Sequence, residues 1–276
     1  MSLQFHKMHG AGNDFVLIDL RSEAFEPGPE TARALADRHR GVGCDQILLL
    51  HAPNDAAHLL RYEIWNADGT PAGQCGNGAR CVALHIARNG EYPGRPYTLE
   101  SPAGVVTVRH CDDGEFELDM GVPVFDPERV PLTLTGERGQ YRLESPWGRL
   151  AFGAAWLGNP HALLIRDSTD DADIPAIGAW LGGHAAFPEG VNVGFAALRG
   201  RGAIDLRVVE RGAGETLACG SGACAAVAIL RRFGQVDERV EVFLPGGRLV
   251  IQWPGNAAPV SMKGPAEHVF RGIMNE

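Results

Sequence analysis

The feature that most constrains this chain is that it repeats itself. HGAGNDF near the start is echoed by LGNPHAL, with Asn13 and Asn159 146 positions apart (159 − 13). CGNGARC is echoed by CGSGACA, with Cys75 and Cys219 144 apart (219 − 75). ESPAGVVTV is echoed by FLPGGRLVI, with Pro102 and Pro245 143 apart (245 − 102). Three matches in one order, at nearly one offset, point to two copies of one architecture. The 276 residues are enough for two modest domains. The expected halves are residues 1–120 and 121–264, with 265–276 crossing back to the first. Val122–Gly139, rich in proline and glycine, is the expected linker.

Each half reads as strands around a helix. Leu60–Trp65 alternates like a half-buried strand and is followed by an Ala67-Asp68-Gly69 turn. CGNG then leads into a helical run, Ala79–Arg88. Strand-like runs follow at Tyr97–Glu100, Val105–Arg109 and Glu115–Met120. The second copy places a strand at Ile204–Glu210, a helix at Ala223–Phe233, and strands at Arg239–Phe243 and Leu249–Trp253. Ala223–Leu230 is apolar on every face, so that helix must be buried all round. The expected fold is α/β (α+β): two similar pseudo-symmetric domains, each a curled, mostly antiparallel sheet around a central buried helix.

Composition removes several classes of function. The formal net charge of −9 argues against a nucleic-acid surface, which needs clustered Lys and Arg. No run approaches the roughly 18 apolar residues of a membrane span, and the N-terminus lacks a signal-peptide core. A cytoplasmic location is therefore expected. In a reducing compartment six cysteines do not imply disulfides. Their spacings are not the C-x2-C of most structural zinc sites, so no metal is expected.

A cysteine beside an apolar helix is usually a small buried hydrophobe. That reading holds for Cys81 and Cys224, inside the helices. Cys75 and Cys219 differ. Each stands just before a helix, where the aligned peptide dipoles favour a thiolate and are expected to lower the thiol pKa. Each is followed by Gly-x-Gly, which frees backbone N–H groups for an anion. They also hold equivalent positions in the two repeats.

Matched thiols suit inversion of a stereocentre. One thiolate removes an α-proton; a thiol on the opposite face returns one, and the roles exchange in reverse. A pyridoxal enzyme would need a tethering lysine, and the only lysines, Lys7 and Lys263, have no such context. Helix N-termini gripping the α-carboxylate offer a route without a cofactor.

NADGTPAGQCGNGARC, ERGAGETLACGSGACA, HGAGNDF, GVGCDQ, GNPH and VNVGF together resemble diaminopimelate epimerase, from Phe5 to Phe270. The resemblance implies an isomerase that converts LL-2,6-diaminopimelate to the meso form in lysine and peptidoglycan precursor synthesis. It implies two similar α/β domains, no cofactor and a homodimer. It makes Cys75 and Cys219 the catalytic pair, with Cys219 taking the proton and Cys75 giving it in the LL-to-meso direction. Gly76, Asn77, Gly220 and Ser221 would hold substrate at the helix starts. Asn13, Gln46, Asn66, Asn159, Asn192, Glu210 and Arg211 match substrate-binding positions, and His161 and Glu210 match residues that tune the thiols. An arginine can bind the distant carboxylate of diaminopimelate bidentately. The family commonly reads Ser-Glu where this chain has Thr70-Pro71, and Pro71 removes a backbone donor before Cys75.

Other readings stay open. Loop asparagines often only make turns, and an arginine can be a surface ion pair. A proline or hydroxyproline racemase of the same fold is the nearest rival, though Arg211 and the amides have little to do for a small imino acid. A thiol redox module or a metal-binding module would belong to different classes.

Overall fold

The computed structural model describes residues 2–22, 27–73, 75–137 and 139–275. Arg138, inside the expected linker, and Glu276, at the end of the expected returning segment, lie outside the described residues. The first half runs β1 (Ser2–Gly10), β2 (Asn13–Asp19), α1 (Pro29–Ala36), β3 (Gln46–His51), β4 (Arg61–Asn66), β5 (Pro71–Ala72), α2 (Gly76–Arg88), β6 (Tyr97–Ser101), β7 (Gly104–His110) and β8 (Phe116–Asp119). The second runs β9 (Gln140–Ser145), β10 (Gly148–Trp156), β11 (Pro160–Arg166), α3 (Ile174–Gly182), β12 (Asn192–Gly200), β13 (Ala203–Glu210), β14 (Gly214–Thr216), α4 (Gly220–Arg232), β15 (Arg239–Leu244), β16 (Gly247–Gln252) and β17 (Ser261–Gly264). β18 (Glu267–Asn275) ends the series. Contacts divide the chain into two units, Met1–Asp119 with Gly264–Glu276, and Met120–Lys263.

The strand pairings of the two units match one for one. β1–β2 and β10–β11 are antiparallel hairpins. β2–β3 and β11–β12 are parallel, each joined through a helix. β3–β4 and β12–β13 are antiparallel, as are the short additions β4–β5 and β13–β14. After the second helix, β4–β6 and β13–β15 pair in parallel, and the antiparallel pairs β6–β7, β7–β8 and β15–β16, β16–β17 complete each ladder. β18 adds to β1 just as β9 adds to β10. The C-terminal strand thus completes the first unit.

In the first unit the sheet is covered on both faces, which explains why β2 and β3 read as continuous apolar runs. Val16, Ile18, Ile47 and Leu49 pack with Ala32 and Leu35 of α1. The alternate residues Phe15 and Leu48 face the start of α2, where they approach Gly78. α2 touches β1, β2 and β18 at one end of the ladder and β8 at the other, so the sheet curls around it.

The second unit repeats this arrangement. Ile174, Ile177 and Leu181 of α3 pack with Leu164, Val193 and Phe195. α4 touches β10, β11, β12 and β16. Its Val227, Ile229 and Leu230 are fully enclosed, and each such side chain contributes about 1.5–3 kcal/mol. The approach is so close that a Cβ on Gly153 of β10 would lie 2.4 Å from Ile229.

Two expectations are corrected. α2 and α4 start at Gly76 and Gly220, three residues before the expected starts, so Cys75 and Cys219 are the N-caps themselves. Glycine's poor helix propensity hid this; a first turn fixed by tertiary packing overrides propensity. Val122–Gly139 is also no loose linker. Val130 and Leu132 are buried in the second unit's core, and Val124 bridges to Trp156. Prolines break its periodicity, yet Val130 and Leu132 stay buried while polar neighbours such as Asp126 and Thr133 face solvent.

Candidate active site

Each unit places its cysteine at the N-terminus of its enclosed helix, and each surrounds it differently. In the first unit, Ala11 and Gly12 both have positive φ (54° and 83°), which makes the two-residue turn joining β1 to β2. That turn presents Asn13. Its Oδ1 accepts from the Cys75 thiol at 3.5 Å and from Asn77 Nδ2 at 3.3 Å. Its Nδ2 donates to Asp45 at 3.0 Å. Cys75 Sγ also accepts from the Gly78 N–H at 3.4 Å, so the sulfur caps the helix whose field acts on it. Beside this group, Gln46 Nε2 donates to Asn66 Oδ1 at 3.0 Å across the β3–β4 pair. Asn66 Nδ2 donates to Thr70 Oγ1, which itself donates to Asp68 at 2.6 Å. Thr70 therefore ties the turn together, and Pro71 opens β5 opposite Trp65.

The second unit puts a carboxylate where the first has an amide. Glu210 lies nine positions before Cys219 just as Asn66 lies nine before Cys75 (219 − 210, 75 − 66). The Cys219 thiol donates to Glu210 Oε2 at 3.0 Å, while Thr216 Oγ1 donates to Glu210 Oε1 at 2.6 Å. Ser221 Oγ stands 3.7 Å from the Cys219 sulfur. Asn159, counterpart of Asn13, turns its Oδ1 to His161 Nε2 at 2.7 Å. Asn192 is buried; it donates to the Pro160 carbonyl and accepts from the Arg211 N–H at 2.8 Å. The exposed Arg211 guanidinium donates to the Glu189 carbonyl at 2.6 Å.

One electrostatic expectation is overturned. The helix start does not leave Cys219 a low-pKa thiol: burial, and then the facing Glu210 carboxylate, push it well above the usual thiol range. Enclosure and the facing carboxylate keep Cys219 a thiol, hydrogen-bonded to a proton acceptor. Burial, with the Arg211 charge second, lowers the pKa of His161 to about 3, so its ring is neutral near pH 7.

Three residues in these networks escaped the sequence reading. Thr216 orients Glu210, Asp45 holds Asn13, and the fully buried Arg80 donates to Asn77 Oδ1 at 2.7 Å. Only Arg80 left a signal, as a charge inside an otherwise enclosed helix. Among the described residues no group of three His, Cys, Asp or Glu side chains is arranged to hold a metal ion. No helix among them is long and apolar enough to cross a membrane.

A family model described as diaminopimelate epimerase matches residues 5–125 and 153–269. The chain belongs to the diaminopimelate epimerase family. It is 49% identical over 275 residues to the diaminopimelate epimerase of Xanthomonas campestris pv. campestris, covering 99% of this chain and 97% of that one. It is also 49% identical over 273 residues to an O-ureido-serine racemase of Streptomyces lavendulae, covering 98% and 95%. In fold it is similar to a hydroxyproline epimerase of Agrobacterium vitis, with a TM-score of 0.72 at 18% identity over 99% of this chain and 92% of that one. Family membership makes the chain an isomerase, an amino-acid epimerase, as expected from the motifs.

Proposed function

We propose that this chain converts LL-2,6-diaminopimelate to the meso isomer with Cys75 and Cys219 acting from opposite faces of the α-carbon. The observation that carries the reading is the pair of cysteines at the N-caps of equivalent helices in equivalent units. The family and the curated relatives supply the substrate.

In this reading the substrate's α-carboxylate docks on the N–H groups of Gly76, Asn77, Gly220 and Ser221. The Cys219 thiol passes its proton to Glu210. The thiolate then takes the α-proton, and the electron pair left on carbon spreads into the carboxylate held by the helix starts. Cys75 delivers its thiol proton to the other face. Cys219 ends as thiol, Cys75 as thiolate and Glu210 protonated; return of that proton to Cys75 through solvent resets the site, and the reverse reaction uses the same two sulfurs with roles exchanged. His161, neutral, and Asn159 shape the Cys219 side; Asn13 and Asn77 hold the Cys75 side. Arg211 takes the distal carboxylate, with Asn66, Gln46, Asn192 and Glu210 as polar partners for the remaining groups.

The route calls on no pyridoxal group or metal. Lys7 donates to Asp14 and to the Gly43 carbonyl, an arrangement suited to structure rather than to a Schiff base. The same reading places the enzyme in the cytoplasm as a homodimer.

A second reading comes from the O-ureido-serine racemase, which is as similar as the diaminopimelate epimerases. An uncharged ureido end gives Arg211 no carboxylate to bind. The deciding experiment is solvent deuterium incorporation at the α-carbon of LL-diaminopimelate, with no pyridoxal phosphate or metal added. Deuterated meso product from wild type, and none from Cys75→Ala or Cys219→Ala, is the expected result. Exchange into O-ureidoserine alone would replace the substrate, and full activity in either variant would overturn the mechanism.

A further inference from the structure

Arg80 is fully buried, one turn into α2. A charge in that position is costly unless its donors are met. Its partners are specific. Nη2 donates to the Asn77 side-chain oxygen at 2.7 Å, Nη1 to the Gly76 carbonyl at 3.4 Å, and Nε to the Pro265 carbonyl at 3.0 Å. Two of these belong to the segment that follows Cys75. The third belongs to the segment that enters β18.

The contacts form a chain. Arg80 fixes the Asn77 oxygen, which turns Asn77 Nδ2 toward Asn13 Oδ1 at 3.3 Å; that oxygen also accepts from the Cys75 thiol. Space for the guanidinium is made by Gly10, where a Cβ would stand 3.2 Å from Arg80 Nη2 and 3.1 Å from the Asn77 carbonyl oxygen.

The repeat supplies a control. Arg80 corresponds to Cys224 (224 − 80 is again 144), which is equally enclosed within α4. The architecture therefore accepts a small uncharged side chain at this position. A buried guanidinium in one copy alone belongs to something that distinguishes the two copies, and what it touches is the setting of Cys75.

We propose that Arg80 is the positioning residue of the Cys75 half of the site, setting the Asn77–Asn13–Cys75 alignment and fastening it to the returning C-terminal segment. The proposal rests on the reading of Cys75 as an acid–base group. The planar Arg80 fork engages an amide and two carbonyls through three separate nitrogens, a spread that lysine's single nitrogen does not reproduce.

The test uses Arg80→Met and Arg80→Lys, each checked by thermal unfolding. Iodoacetamide alkylation of Cys75 and Cys219 is followed separately, across pH, by peptide mass spectrometry. A one-unit rise in a thiol pKa lowers its thiolate fraction about tenfold. Arg80→Met is expected to slow Cys75 alkylation by about that factor at neutral pH, to leave Cys219 within about twofold, and to lower kcat in both directions. Arg80→Lys keeps the charge without the fork and is expected to lower kcat with a smaller shift in the Cys75 profile. If Arg80→Met does not fold, Arg80→Lys carries the test. Wild-type kcat and an unmoved Cys75 profile in a folded variant would overturn the proposal. Equal shifts at both cysteines would also overturn it, because a general loosening predicts them. Alkylation needs no substrate, so failure of the substrate assignment would leave this result standing; a fully active Cys75→Ala would instead remove the reading beneath it.

Discussion

The two cysteine settings come from one architecture and have been given different chemistry. Cys75 is half-buried, capped onto its own helix and bonded to the Asn13 amide, which also accepts from Asn77; the sequence counterpart of Glu210 is another amide, Asn66. Cys219 is buried and bonded to a carboxylate. An amide oxygen accepts a hydrogen bond from a thiol but does not take its proton near pH 7; a carboxylate can do both. Within the proposed mechanism the comparison assigns direction. Cys219, with its proton acceptor, is equipped to become a base once substrate arrives. Cys75, among amides, is equipped to hold its proton. In the proposed mechanism a duplicated fold would supply the symmetry that reversibility needs, and the Asn-or-Glu difference would make the two sulfurs unequal.

The strongest way to break this comparison is to remove either sulfur. Cys75→Ala and Cys219→Ala are each expected to cost about a thousandfold or more in kcat for diaminopimelate, since each removes an acid–base group. A much smaller loss at one site, measured by meso product formation, would mean that the two settings are not partners in one reaction.

Glu210→Gln sharpens the point because it should move two observables in opposite directions. Losing the proton acceptor is expected to lower kcat by about a hundredfold. Losing the negative charge should also bring the Cys219 thiol part-way down from its raised pKa, so alkylation of the ligand-free protein at a fixed pH should speed up. A fall in both would show that Glu210 activates the resting thiol rather than waiting for its proton.

Arg211→Met tests the substrate rather than the base. Loss of a charge-assisted bond to a distal carboxylate is expected to raise the KM for diaminopimelate about tenfold or more, with kcat less affected. Unchanged KM values would favour a substrate with an uncharged far end.

The smallest effect concerns the frame. Burial, with His85 and His268 next, lowers the pKa of His6 in the first unit to about 4. His161 in the second is lowered to about 3. Both folded values lie below the unfolded value of about 6.5. The unfolded chain therefore binds more protons between these limits, and stability falls as pH drops from about 6.5 toward 4. Tm measured over that window should decline, and His6→Asn should flatten part of the decline. A Tm that rises on acidification would contradict the burial of these rings.

Much of the fold was legible because repetition is a property of sequence. The offset between CGNGARC and CGSGACA, the alternation at Leu60–Trp65 and the uninterrupted apolar face of Ala223–Leu230 depend on local spacing. The N-cap role of the two cysteines was harder to see, since glycines after them argue against helix until packing fixes that turn. Val130 and Leu132 were misplaced in a linker because irregular segments carry no period to reveal their burial. The hydrogen-bond networks were less visible still. Thr216, Asp45 and Arg80 are ordinary residues until a turn or a strand brings Glu210, Asn13 and Asn77 within reach of them.

The sequence by itself determined the duplication, the paired thiols at matching places and the family. The tertiary structure decided how the paired thiols differ. Protonation of a sulfur depends on enclosure and on which oxygen stands about 3 Å away, quantities that distant segments create together and that local sequence does not encode.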